Sequence, residues 1–159
     1  MFLTYPELRS VAYGYQLQEI TDNQPDIAEM AIAAAVEEMI SYLNPSNQRH
    51  WRDGRPRYDT NLIFGATGDD RNALVLELCK SIALYYVCRL SNVDIIQENV
   101  QDRYDRAIDW LEKVAGVGKY AGAPAITPNL PVLEVSDTDD DQNKPFRSGS
   151  RPKFIHDFD

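Results

Sequence analysis

The sequence predicts an all-α protein: a small four-helix domain with a long irregular loop and an extended C-terminal arm. Apolar residues recur at steps of three and four in successive stretches. Helix-starting residues stand before each of these stretches. Beyond Lys119 the composition changes: five of the nine prolines fall there, and charge comes in blocks. The helical domain is therefore expected over residues 1–118 and the arm over 119–159.

The first helix opens at Thr4-Tyr5-Pro6-Glu7. Thr4 can cap it and Glu7 can reach back, as in a capping box. Pro6 suits the first turn, where a missing N–H costs nothing, and Leu3 and Leu8 are spaced for a hydrophobic staple. The helix is expected to run to about Tyr13, with Gly14 as its stop. Tyr15 to Ile20 adds one turn before the turn formers Thr21-Asp22-Asn23-Gln24-Pro25.

Asp26-Ile27-Ala28-Glu29 gives the second helix a similar start. Ile27, Ala31, Ala34, Ala35, Met39 and Leu43 form its apolar face, widened by Ile32, Val36 and Ile40. The run Ala33-Ala34-Ala35 lets another helix approach closely. Pro45 ends the element, which would be about 26 Å long at 1.5 Å per residue. Residues 44–70 then read as irregular, with Leu62-Ile63-Phe64 as the one apolar anchor. A loop this long inside a domain is usually functional or mobile.

Asp69 or Asp70 is expected to cap the third helix, Arg71 to about Leu90. Leu74, Val75, Leu78, Ile82, Ala83, Tyr85, Tyr86, Val87 and Leu90 cover nearly all its sides, which marks the central helix. Ser91 or Asn92 starts the fourth, Val93 to about Ala115. Its stripe is Ile96, Val100, Tyr104, Ala107, Ile108, Leu111 and Val114. Asp102, Arg106, Asp109 and Lys113 lie on the wet side at ion-pair spacing, and Gly116 and Gly118 end the helix.

A length of 159 residues suits one ordinary core. With 43% apolar and 26% charged residues, collagen-like, mucin-like and wholly disordered chains are excluded. No apolar run reaches the roughly 18–20 residues of a membrane span. Met1-Phe2-Leu3-Thr4-Tyr5 carries no basic region or signal core, so export is not expected. Sixteen Lys and Arg against 25 Asp and Glu give a net charge of −9. Duplex-binding proteins show the opposite balance, because Lys and Arg displace the counterions of DNA. Cys79 and Cys88 are nine residues apart, a helical rotation of about 900° that puts them on opposite faces. They read as apolar fillers and not as a disulfide.

Converging catalytic groups are not legible. His50 and His156 have no second His or Cys at ligand spacing, so no zinc site is expected. Glu37 and Glu38 point about 100° apart on a helix and read as a solvated face. Gly65-Ala66-Thr67-Gly68-Asp69-Asp70 lacks the Gly-Lys-Ser/Thr ending of a phosphate loop, and its aspartates suit a helix start. No catalytic residue, cofactor or metal is assigned.

Two segments look built for contact. The loop Arg49-His50-Trp51-Arg52-Asp53-Gly54-Arg55-Pro56-Arg57-Tyr58 interleaves four arginines with Trp and Tyr. Arg49, Trp51, Arg52, Arg55 and Tyr58 fit a protein interface, where Arg, Trp and Tyr dominate hot spots. A plain solvated loop and a nucleic-acid grip by stacking and phosphate contacts are the other readings. In the arm, residues 134–141 carry five negative charges and 144–153 carry four positive ones. Phe146, Phe154, Ile155 and Phe158 look like anchors, and Arg147, Arg151 and Lys153 like polar clamps. Such a segment cannot bury enough surface to fold alone and is expected to dock on a neighbouring chain.

Phe2-Leu3-Thr4-Tyr5-Pro6-Glu7-Leu8, Glu19-Ile20-Thr21-Asp22, Ile40-Ser41-Tyr42-Leu43 and the run from Arg103 to Val114 resemble a family of Mu-like prophage proteins. The closing Lys144-Pro145-Phe146-Arg147-Ser148-Gly149-Ser150-Arg151-Pro152-Lys153-Phe154 resembles the branch found in Bacteroidetes phages and prophages. The 44–70 loop goes beyond the shorter Mu-like pattern. The resemblance implies a small helical virion protein of the head–tail connector, made in the bacterial host cytoplasm. It implies a homo-oligomeric ring, commonly of twelve copies, with the portal protein above. A tail-proximal neck or tail-terminator protein would lie below. DNA would pass through the channel without specific binding, which a surface of net charge −9 per copy favours. The alternatives are a helical nucleic-acid-binding module using Arg49 to Arg57, and another neck or tail-terminator structural role.

Overall fold

A computed structural model describes residues 1–22, 24–44, 56–91, 98–121 and 124–133. The chain order is a 3-10 helix at Tyr5–Ser10, then α1 (Gly14–Ile20), α2 (Pro25–Leu43), α3 (Thr60–Gly65), a 3-10 turn at Gly68–Asp70, α4 (Ala73–Leu90), α5 (Glu98–Ala115) and a closing 3-10 turn at Gly118–Tyr120. The all-α expectation holds. Among the described residues the extended pairing is one isolated antiparallel bridge, Tyr58 to Val132.

α4 is the central helix, as its all-round apolar pattern predicts. It packs on both α2 and α5, and α2 also meets α5. Val75, Cys79, Ile82, Ala83, Leu84, Val87 and Cys88 are buried along it, while its ends Leu74 and Leu90 are exposed. α2 contributes Ala28, Ala31, Ile32, Ala35, Met39 and Leu43, and α5 contributes Val100, Ala107, Leu111 and Val114. Three of the α2 positions are alanines with no exposed surface, which brings its backbone close to its neighbours. Each fully buried Leu, Ile or Val adds about 1.5–3 kcal/mol. The buried hydroxyls are satisfied within their own helices: Thr21 Oγ1 donates to Leu17 O (2.8 Å) and Ser81 Oγ to Glu77 O (3.1 Å).

Several boundaries differ from the sequence reading. Glu7 does reach back to Thr4, accepting from its N–H (2.9 Å) and hydroxyl (2.8 Å), but the segment winds as a 3-10 helix ending at Ser10. Gly14 begins α1 instead of stopping a helix; the Arg9 side chain lies 3.4 Å from where a Cβ would stand. α2 begins at Pro25, at the N1 position, with Gln24 rather than Asp26 at the cap. For α4 the cap is Asn72, whose Oδ1 accepts from Leu74 N (3.0 Å) and Val75 N (3.1 Å). Asp69 and Asp70 are spent in the preceding 3-10 turn. The start of the fourth helix at Val93, with Ile96, lies outside the described residues.

Arg71 is not a helical residue but a lock. Its Nη2 meets Glu7 Oε1 at 2.6 Å, its Nη1 meets Glu7 Oε2 at 3.1 Å and Phe2 O at 2.7 Å, and its Nε meets Gly68 O at 2.9 Å. This fork ties the N-terminus, with Phe2 and Leu3 buried, to the start of α4.

α5 stops on Gly116, which has φ 62. Val117 N–H returns to Glu112 O at 3.2 Å, the six-to-one bond of a Schellman ending. Gly118 also has positive φ (57).

The chain does not leave the body at residue 118. Ala125 N donates to Lys113 O (2.8 Å), Ile126 packs on the core, and Leu130 is 6% exposed. Residues 124–133 thus belong to the folded body. Prolines do not prevent this, because a proline carbonyl still accepts: Pro131 O takes the N–H of Asp59 at 2.9 Å.

Candidate interaction surface

Of the expected interface residues, Arg49, Trp51, Arg52, Arg55, Phe146, Arg147, Arg151, Lys153, Phe154 and Phe158 lie outside the described residues. Tyr58 is described, and it points inward. It is 3% exposed and part of the chain's own core, so it is not available to a surface partner. The reason is alternation in an extended segment: Arg57 is exposed and Tyr58 buried. Burial pushes the Tyr58 phenol up to about 12, and its hydroxyl has no hydrogen-bond partner among the described residues.

The bridge that buries Tyr58 has a second effect. Leu133 N donates to Arg57 O at 2.6 Å, beside the Asp59–Pro131 bond. Residues 45–55 adjoin this ladder on one strand, and residues 134–159 on the other. The described residues that border the two segments, Arg57 and Leu133, are therefore held side by side. Asp59 then caps α3, accepting from Leu62 N at 3.0 Å. Within α3, Ile63 is buried and Phe64 sets its ring edge-on to Phe2 (5.1 Å between centroids). Leu62, expected as part of this anchor, is exposed.

A cleft of about 930 Å³ opens on another side. One wall is Arg9 to Tyr13 with Gln16, Glu19, Ile20 and Asp22. The other is Leu84, Cys88 and Ser91 of the α4 end with Asn99, Val100 and Arg103 of α5. Leu84, Cys88 and Val100 are nearly covered and make an apolar floor. Arg103 Nη1 crosses to Val11 O at 3.3 Å. Tyr13 stacks on Tyr15 (centroids 5.7 Å apart), and both rings are exposed.

Two polar clusters hold helices together. Glu38, read as part of a solvated face, is half-buried, while Glu37 is exposed as expected. Glu38 accepts from Tyr104 OH at 2.9 Å across α2 and α5, and Tyr104 stacks on Tyr85 at 4.0 Å. Burial and the Glu38 charge raise the phenols of Tyr42, Tyr86 and Tyr104. On α5, Asp109 receives Lys113 (2.7 Å), Lys119 (2.9 Å) and Tyr120 OH (3.2 Å), which pins the closing 3-10 turn. These hydrogen bonds hold its carboxyl well below the usual range.

Cys79 and Cys88 are free and buried, and burial lifts the Cys79 thiol to about 12. Among the described residues no group of three or more His, Cys, Asp or Glu could hold a metal ion, and no helix is long and apolar enough to cross a membrane.

In comparisons with known proteins, the chain matches no family model, no curated protein and no solved structure.

Proposed function

We propose that the chain is a structural virion subunit, an adaptor of the phage head–tail connector that works by oligomerising in a ring and docking its arm. The observation that carries this reading is the Arg57–Leu133 and Asp59–Pro131 ladder. It holds Arg57, at the end of the arginine-rich loop, beside Leu133, the last described residue before the acidic run of the arm. Grouping two contact segments suits a protein whose specificity lies in its edges. A ring also needs head-to-tail contacts between unlike surfaces, which an arm on a neighbour supplies. The resemblance of the N-terminal and α5 signatures to Mu-like prophage connector proteins supports the same reading. So does the fold, since tail-tube proteins are more often β-rich. The subunit would sit in the virion between the portal and a tail-proximal neck or tail-terminator protein.

Removal of residues 142–159 tests this. The truncated chain should keep its helical circular dichroism and thermal transition, yet assemble less well by light scattering. Equal assembly of the two chains would refute the role of the arm. Salt-sensitive, micromolar affinity for duplex DNA in filter binding would instead favour a nucleic-acid module.

A further inference from the structure

The cleft beside α1 holds four charges that do not neutralise one another. Among the described residues, no carboxylate lies within ion-pair distance of Arg9 or Arg103, and no cation within that distance of Glu19 or Asp22. The charges are also sorted by sign. Arg103 reaches Val11 O, and Arg9 lies over Gly14, so both cations sit where α1 begins. Glu19 and Asp22 sit where it ends. From Gly14 to Ile20 α1 rises about 9 Å at 1.5 Å per residue.

One segment of this chain carries the complementary pattern. Asp139, Asp140 and Asp141 are followed by Lys144 and Arg147. From Asp141 to Lys144 an extended chain covers about 10 Å at roughly 3.3 Å per residue. Asp141 and Lys144, the innermost charges of that sign change, are thus spaced about as far apart as α1 is long.

We propose that residues 139–147 of a second copy lie along α1 in this cleft. The aspartates face Arg9 and Arg103, and Lys144 and Arg147 face Glu19 and Asp22. The apolar floor and the exposed Tyr13 ring give the segment a surface to cover. The two carboxylates in the cleft oppose a nucleic-acid occupant. Donor and acceptor are different surfaces of one chain, so the contact is head-to-tail and can close a ring. This assignment of a second copy rests on the connector reading above.

The test uses full-length chains. The donor-blocked chain carries Asp139→Lys, Asp140→Lys and Asp141→Lys. The receptor-blocked chain carries Arg9→Glu and Arg103→Glu, with Arg9→Glu alone as the variant that leaves the Arg103–Val11 bond intact. A fluorescent peptide of residues 134–159 should bind the donor-blocked chain saturably. It should bind at least tenfold more weakly once Arg9→Glu is added, and the affinity should fall with salt. Mixing the receptor-blocked and donor-blocked chains should give a one-to-one heterodimer in sedimentation, with no further growth.

Peptide affinity indifferent to Arg9→Glu would overturn the proposal while leaving the connector reading intact. A wild-type chain that stays monomeric at concentrations where the receptor-blocked and donor-blocked chains pair would mean that the arm folds onto its own body, which also overturns it. Loss of the connector reading has a separate signature: a wild-type chain that neither self-associates nor binds the cognate portal.

Discussion

Glu7→Gln is expected to cost about 1–2 kcal/mol at neutral pH and almost nothing near pH 2. Glu7 takes two short bonds from Arg71 (2.6 and 3.1 Å) and two from Thr4, and these hold its carboxyl at about 2 rather than 4.5. A shift of that size corresponds to a ceiling of roughly 3.4 kcal/mol at about 1.36 kcal/mol per pKa unit. The Glu7 side chain keeps 30% of its surface in water, so screening reduces the ceiling by about half. The folded state binds the ionised form more tightly. Its contribution is therefore complete above about pH 4.5, declines between there and pH 2, and vanishes below. Urea unfolding of both chains at pH 7, 4 and 3 reads this directly. The gap should narrow steadily below pH 4.5. Arg71→Gln should cost more, about 3 kcal/mol, because Phe2 O and Gly68 O also lose their donor. A Glu7→Gln gap that stays constant or widens as the pH falls would refute the lock as an ion pair.

Leu111→Ala, at a site with no exposed surface, should lower stability by about 2–5 kcal/mol in urea titration. Gly116→Ala should cost about 1–2 kcal/mol, because φ 62 puts any Cβ against the following carbonyl. Gly65→Ala, where a Cβ would meet nothing within 4 Å, should be neutral or slightly stabilising in the same urea titration. A thiol reagent at pH 8 should label Cys79 and Cys88 only as fast as the protein opens, since both are buried and their thiols are raised; labelling at the rate of a free peptide thiol would contradict that placement.

The helices were legible because their signals are local. The α5 stripe and the apolar circumference of α4 are spaced by helix geometry alone; the structure buries Val100, Ala107, Leu111 and Val114 of the first and Val75, Ile82, Ala83 and Val87 of the second, and leaves Leu74 and Leu90 exposed. The capping-box pair Thr4 and Glu7 was equally readable. What escaped were choices settled across the fold. Asp69, Asp70 and Asn72 are all plausible caps, and the selection of Asn72 depends on Arg71 being drawn to Glu7, 64 residues away. Glu38 looked solvated because nothing nearby in sequence announces Tyr104. The proline content of residues 119–133 masked Ile126 and Leu130, whose burial depends on the surface that the folded helices offer. Tyr58 turned inward for the same reason: its orientation follows from pairing with Val132. The sign-sorted cleft joins α1 to the ends of α4 and α5, so no single stretch of sequence displays it.

Electron microscopy of the full-length chain mixed with its cognate portal protein bears most directly on the connector assignment. A ring of this chain stacked coaxially beneath the portal, each copy touching its neighbour, is the expected image. Portal particles left bare at saturating concentrations of the chain would contradict it.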